Sequence, residues 1–468
     1  MPWTKAELAR ITGGVWEGDL PEDWTTDRIA FSNGLVRPGA LVIPYVYTYL
    51  YGVKPAKIAR FRRQGLALLA DARYLPEFED LAVLRVPSIR FALRHLAEQA
   101  RASYHGHLIA VGGSVGKTTT TAMVNAILTA AGHPPFPDEN FNTVSGVVGQ
   151  IANLPSHGIH AVEVSIGFHR RDLGTFTLKP HAALITTIGD AHLEEYGSRE
   201  AIAELKARIY DVAEGGTAIA PRDSGHFDYL RARALSFGAK VVSFGEHAEA
   251  DFRLVDYAHG DQVVSAVLKG RDFSYKLGIP GRHMAVNSLG ALAAVDSIGL
   301  DLRAAANALE RMEAIAGRGK VMNIALASGA AQILDEAYNA NPTSVAAVLA
   351  AFAQRRCENG GRKLALLGDM RELGQRSAEY HADLAEPVLA ANLDMVVTVG
   401  EQMTHLRRAL PEHILGPHYA TADDVLPDLV DLLQAGDQLL VKASHGTGLH
   451  EVVNRMSRQL GDVNRAAS

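Results

Sequence analysis

Short apolar runs alternate with stretches of helical periodicity along this chain, and the texture changes twice. Between about 106 and 319 the apolar runs HLIAVGG, HAVEVSI, HAALITTIG and TAIAP are each followed by a helix-like segment. That rhythm implies parallel strands joined by crossover helices. The region closes on IPGRHMAVNSLGALAAVDSIG, a turn and then an alanine-rich helix. After the glycine-flanked RMEAIAGRGK the rhythm restarts with AQILDEA, KLALLGD, MVVTVG and QLLVKAS. Four strands with intervening helices are enough for a separate open sheet of the doubly wound kind. Before 105 the runs are shorter (ALVIP, LALLAD, LAVLRVP) and end on a helix, SIRFALRHLAEQAR. The expected fold class is α/β in three domains: a small N-terminal α/β domain over 1–105, a central parallel sheet over 106–319 and a Rossmann-like domain over 320–468.

The first strand of the central region runs into GGSVGKTTTT, residues 112–121, and then into TTTTAMVNAILTAAG, which reads as a helix. Backbone N–H groups of a glycine turn and a helix N-terminus direct partial positive charge at phosphate oxygens. Gly113 and Gly116 permit close backbone approach, Lys117 can reach the β and γ phosphates, and Thr118 can ligate Mg²⁺. Ser114 and Thr119 complete the candidate phosphate-binding set. A bland alternative is a glycine turn with a solvated lysine, but a strand before and a helix after favour nucleotide binding. The central domain therefore reads as a P-loop ATPase type. Its loop is the short form G-x-x-G-K-T, with Val at position 111. Without an N-K-x-D guanine-reading motif, ATP is preferred over GTP.

Length and composition narrow the setting. At 468 residues the chain suits about three domains. A single cysteine, Cys357, excludes an internal disulfide and a multi-cysteine zinc site, and suits a reducing compartment. The net charge of −6 argues against a broad nucleic-acid surface. No apolar run approaches the roughly 20 residues that span a bilayer, and MPWTKAELARITGG lacks the pattern of a signal peptide. The expectation is a cytoplasmic monomeric enzyme acting on small molecules, with neither nucleic acid nor membrane as partner.

Acidic and imidazole groups gather near the phosphate loop. Glu163 lies within HAVEVSI, where a lone carboxylate is costly unless paired or metal-bound; an edge-strand glutamate facing water is the other reading. In TTIGDAHLEEYGS, Asp190, His192 and Glu194 follow the carboxyl end of a strand, where open α/β sheets bind ligands. Alone, His192 would read as a loop histidine. Lys206, in EAIAELKARIYD, would read as a solvated helix former.

The ordered set GGSVGKTTT, AVEVS, TTIGDAHLEEYGS, LKARIYD, IPGRHMAVNSLGA, GRGK, LDEAYNANPTS, LLGDMRELG and LVKASHGTG resembles the Mur ligases, ATP-dependent amide-bond-forming enzymes of peptidoglycan precursor synthesis. DEAYNANPTS and LLGDMRELG point to the branch that adds D-alanyl-D-alanine to UDP-N-acetylmuramoyl tripeptide. The resemblance covers about residues 106–450. It implies that Gly113, Gly116 and Lys117 hold ATP, with Thr118 and Glu163 on one Mg²⁺ and His192 on a second. It also implies that Lys206 matches a lysine carbamylated in several members, where the new carboxylate helps bind that second Mg²⁺, that Asn287 contacts the adenine side, and that Arg318 reaches toward the γ phosphate. Asp335 would meet the ribose or help close the third domain, and Tyr338, Asn339 and Asn341 would lie near ATP and the incoming amine. The implied chemistry passes through an acyl phosphate.

Two stretches depart from the family pattern. Phe31-Ser32-Asn33 stands where a D-S-R element is expected, and no D-G-H element follows. In their place come Tyr45, Tyr47, Tyr49 and Tyr51, then Arg60, Arg62 and Arg63. Tyr45, Tyr47 and Tyr49 would share a face if extended. The stretch reads as a packed strand face with a solvated basic helix, the alternative being an aromatic and cationic pocket for a different acceptor. In KASHGTG, His445 replaces a basic residue and is either a weaker anion contact or a loop residue. The departures keep open a second reading, a paralogue joining an amino acid or dipeptide to a non-UDP carboxylate. A P-loop switch without ligase activity is disfavoured by the presence of Glu163, His192, Lys206 and Arg318.

Overall fold

The computed structural model describes residues 2–45, 52–73, 78–136, 141–169, 178–189, 193–314, 316–326, 329–357 and 360–460. Among them the central sheet has eight strands. Its order runs from Arg271–Lys276 through Val263–Leu268, Phe252–Ala258, Lys240–Gly245, Thr217–Pro221, Ala182–Ile185 and His107–Gly112 to Ile159–Glu163. The six strands from Phe252–Ala258 onward are parallel, and His107–Gly112, paired on both sides, is buried from Leu108 to Gly112. A strand covered on both faces needs apolar residues at every position, which is why it reads as a continuous run.

The other two strands extend this sheet as an antiparallel hairpin that the apolar-run pattern does not reveal. Lys269 and Gly270 both take positive φ (+49° and +77°) and close it as a two-residue turn, whose twist matches the flanking strands. Val263–Leu268 alternates half-buried and buried positions, so its signal is a period of two rather than an apolar block.

The C-terminal sheet has six strands among the described residues, ordered Lys320–Leu326, Gly329–Glu336, Gln438–Lys442, Lys363–Gly368, Met395–Val399 and Leu415–Tyr419. Four match the runs expected from the sequence; the two edge strands are additional, and Lys320–Leu326 is antiparallel. The small N-terminal sheet joins Val15–Glu17, Val83–Arg85, Ala67–Ala70, Leu41–Val42 and Ile29–Ala30. Its helix Ile89–Ala102 packs on Val144–Ala152 of the central region. Phe31 is buried and meets Phe141 edge-on with ring centroids 4.7 Å apart, so the stretch lacking D-S-R serves packing here. Tyr45 is exposed, and Tyr47, Tyr49 and Tyr51 lie outside the described residues. Arg60 and Arg63 are exposed and Arg62 lies 3.7 Å from Asp80, as a solvated basic segment would be. No helix among the described residues is long and apolar enough to cross a membrane.

Several histidines are held neutral by this fold. Leu108 N donates to His181 Nδ1 at 3.1 Å, which requires that nitrogen unprotonated. Burial lowers the pKa of His181, and the neighbouring His107 and Arg101 add to the fall. Burial and then His133 do the same to His160. His283 is pushed down to about 4 by burial and then by Lys442. Unfolded imidazoles take up a proton near pH 6.5, so this stability is complete above that value and is lost as pH falls toward the folded pKa. For His283 alone the loss is on the order of 1 kcal/mol at pH 5.5. The urea unfolding midpoint should therefore be lower at pH 5.5 than at 7.5; equal midpoints would contradict this account.

Candidate functional site

Strand His107–Gly112 delivers the chain into the glycine loop, and helix Lys117–Ala130 leaves it. Gly113 and Gly116 have φ of +136° and +83°, left-handed backbone that favours glycine. A Cβ on Gly113 would lie 2.9 Å from Thr186 N, and one on Gly116 would lie 2.9 Å from Asn287 Nδ2. Asn287, from helix Arg282–Asp296, is thereby packed directly on the loop. Ser114 N donates to Thr187 O at 2.8 Å, and Ser114 Oγ accepts from Gly189 N at 2.9 Å. Lys117 folds back over the loop, its Nζ donating to Ser114 O at 3.2 Å. Burial lowers its pKa, Glu163 opposes the shift, and Arg318 adds to it. Thr119, in the first turn, lines the same space and is largely buried.

Glu163 ends strand Ile159–Glu163 and is only 6% exposed. Thr118 Oγ1 donates to its Oε2 at 2.6 Å and Asn142 Nδ2 to its Oε1 at 2.8 Å. The buried-carboxylate reading of this residue holds, and the partners that make burial tolerable are neutral donors. Lys206 is 3% exposed beneath the loop, with Nζ donating to Gly113 O at 2.7 Å. It does not line the cleft. Burial, and then the charge of Lys117, hold its pKa well below the usual lysine range. Asp190 and His192 lie outside the described residues. Among the described residues no group of three or more His, Cys, Asp or Glu side chains is placed to hold a metal.

The third domain closes the opposite wall of a cleft of about 970 Å³. Arg318 lies 4.1 Å over the Tyr338 ring; that ring meets His445 edge-on at 5.5 Å, and His445 stacks on His450 at 4.0 Å. Asn341 caps helix Pro342–Ala353, its side chain accepting from Ser344 N at 2.9 Å. Asn339 lines the cleft, and its carbonyl accepts from Lys442 Nζ at 2.6 Å. Asp335 does not line the cleft. Its carboxylate accepts from Gly317 N at 2.7 Å and Ala337 N at 3.2 Å, fixing the turn that carries Arg318.

The cleft also contains residues not singled out from sequence: Asn142, Glu336, Arg371 and Lys442. Glu336 and Lys442 end adjacent parallel strands and lie 3.6 Å apart. Burial raises the carboxyl and lowers the ammonium, each partly offset by the other. A charged residue at the end of an apolar strand was the available signal in both LDEA and LLVKAS. The wall lined by Lys117, Thr118 and Glu163 thus presents a glycine cradle a side chain would fill, an ammonium, and a hydroxyl paired to a buried carboxylate. That donor set suits a chain of phosphate oxygens.

The comparisons agree with this geometry. The Mur ligase middle domain matches residues 111–295, and the Mur ligase glutamate ligase domain matches 311–445. The UDP-N-acetylmuramoyl-tripeptide–D-alanyl-D-alanine ligase of Bacillus subtilis (strain 168) is 30% identical over 397 residues, covering 83% of this chain and 84% of the relative. That of Escherichia coli (strain K12) is 30% identical over 463 residues, covering 97% and 98%. MurF from Acinetobacter baumannii superposes with a TM-score of 0.80 at 26% identity, covering 98% of this chain and 99% of that one. MurF ligase from Thermotoga maritima in complex with ADP shares the fold, with a TM-score of 0.71 at 24% identity over 92% and 97% of the two chains. With both domain models matched in order and a relative at this identity spanning nearly its full length, the chain belongs to the Mur ligase family.

Proposed function

We propose that this chain is an ATP-dependent ligase that adds D-alanyl-D-alanine to UDP-N-acetylmuramoyl tripeptide, as a step of peptidoglycan precursor synthesis in the cytoplasm. The observation that carries the reading is one cleft with a phosphate cradle on the central sheet and Arg318, Tyr338 and Asn339 facing it from the third domain. ATP supplies the phosphoryl group that turns a substrate carboxylate into an acyl phosphate open to attack by an amine. Lys117 and Arg318 screen the approach of the two anions and stabilise charge on the transferring group. The stack of Arg318 on Tyr338, with Asp335 holding the turn behind it, keeps that guanidinium directed across the cleft. Thr118 and Glu163 would hold Mg²⁺, which neutralises phosphate charge when bound. The hydrogen bond between them would open to admit it. Walls from two domains flank the cleft, and their approach would limit the water that competes for an activated carboxylate.

The N-terminal region favours no simple transfer of the UDP-gripping elements, since Phe31 is given to packing. That observation supports the second reading, a paralogue using a non-UDP carboxylate. The E. coli relative aligns over 97% of this chain, N-terminal region included, and this favours the first. Sustained ADP release should require ATP, the UDP-muramoyl tripeptide and D-alanyl-D-alanine together. ADP release equally fast without the dipeptide would count against a ligase.

A further inference from the structure

Arg371 follows strand Lys363–Gly368 and lines the third-domain rim of the cleft. Its backbone is pinned there, Arg371 N donating to Ser444 Oγ at 3.0 Å. Its guanidinium lies against Gly446: a Cβ on that glycine would be 2.7 Å from Cζ. The missing side chain is therefore what gives the guanidinium its seat. On the third-domain side the other cations of this cleft are engaged: Arg318 lies over the Tyr338 ring, and Lys442 is held by Glu336 and Asn339 O. Lys117 belongs to the phosphate loop, and Arg90 and Arg94 line the cleft from the N-terminal helix Ile89–Ala102. Arg371 has no acidic partner among the described residues. Gly446 adjoins His445, whose ring meets Tyr338, which in turn carries Arg318. A short series of contacts therefore links the phosphoryl-facing arginine to the rim.

We infer that Arg371 recognises the carboxylate of the incoming amine substrate. The inference rests on the ligase reading above. An amino acid or dipeptide presents an amine at one end and a carboxylate at the other, about 7 Å apart for two extended residues. With the amine directed at the reacting carbon near Arg318, the carboxylate projects toward the rim. A planar guanidinium there pairs both oxygens of a carboxylate at once.

Steady-state kinetics of the full chain test this. Arg371→Met should raise KM for D-alanyl-D-alanine about tenfold or more, with kcat within about threefold and KM for ATP and the tripeptide unchanged. The unsubstituted enzyme should discriminate against D-alanyl-D-alaninamide by a similar factor, and the Met variant should not. Arg371→Lys, which keeps the charge but not the fork, should fall between. An unchanged KM for the dipeptide in both variants would overturn the inference. So would undiminished discrimination against the amide in the Met variant, or a matching rise in KM for ATP. Absence of product from the unsubstituted chain would overturn the ligase reading and this inference with it.

Discussion

Lys117→Ala should lower ATP-dependent turnover by about two to three orders of magnitude, the usual effect of deleting one preorganised charge donor. The ammonium is already folded over the loop, 3.2 Å from Ser114 O, and stands near both Glu163 and Arg318. Burial and Arg318 lower its pKa while Glu163 opposes the fall, and a bound anionic phosphate would favour its charged form. Alanine leaves the loop backbone, Thr118 and Glu163 in place, so the fold should persist. ADP release measured beside a thermal melt separates the two effects. Near-normal turnover in a folded variant would remove the phosphate loop from the mechanism.

Lys206→Ala should be as severe for a different reason. The unmodified lysine is buried under the loop beside another cation, and both burial and Lys117 depress its pKa. The neutral amine so favoured can add CO₂, forming a carbamate and releasing one proton. Its N–H could still donate to Gly113 O, and its new negative charge would turn the repulsion from Lys117 into attraction. The expectation is an inactive alanine variant partly restored by short carboxylates such as acetate, with the intact protein 44 Da heavier in bicarbonate, the mass of one CO₂ (about 44 Da) following from the amine chemistry above. Full activity of the variant without added carboxylate would end the carbamate role.

The sequence disclosed what depends on local order. A continuous apolar strand, two glycines, a lysine and a hydroxyl at a helix start specify the cradle because its parts are neighbours in the chain. Glu163 was visible because a carboxylate in an apolar strand needs a reason. Lys206 was not, since its burial comes from tertiary packing beneath a loop 93 residues away; only the family resemblance marked it. Asp335 and Glu336 show the limit from another side. Successive strand residues face opposite ways, so one holds the Arg318 turn while the other enters the cleft, and a motif naming both does not say which is which. The hairpin Val263–Lys276 went unread because it alternates instead of forming an apolar block. Arg371 owes its place to Gly446, 75 residues later, and no local pattern announces such a meeting.

The central claim is tested most directly by mass spectrometry of the product formed from ATP, Mg²⁺, UDP-N-acetylmuramoyl tripeptide and D-alanyl-D-alanine. The account predicts a pentapeptide product in amount equal to the ADP released. No product from protein that still binds ATP would contradict it and move the search to carboxylates without UDP.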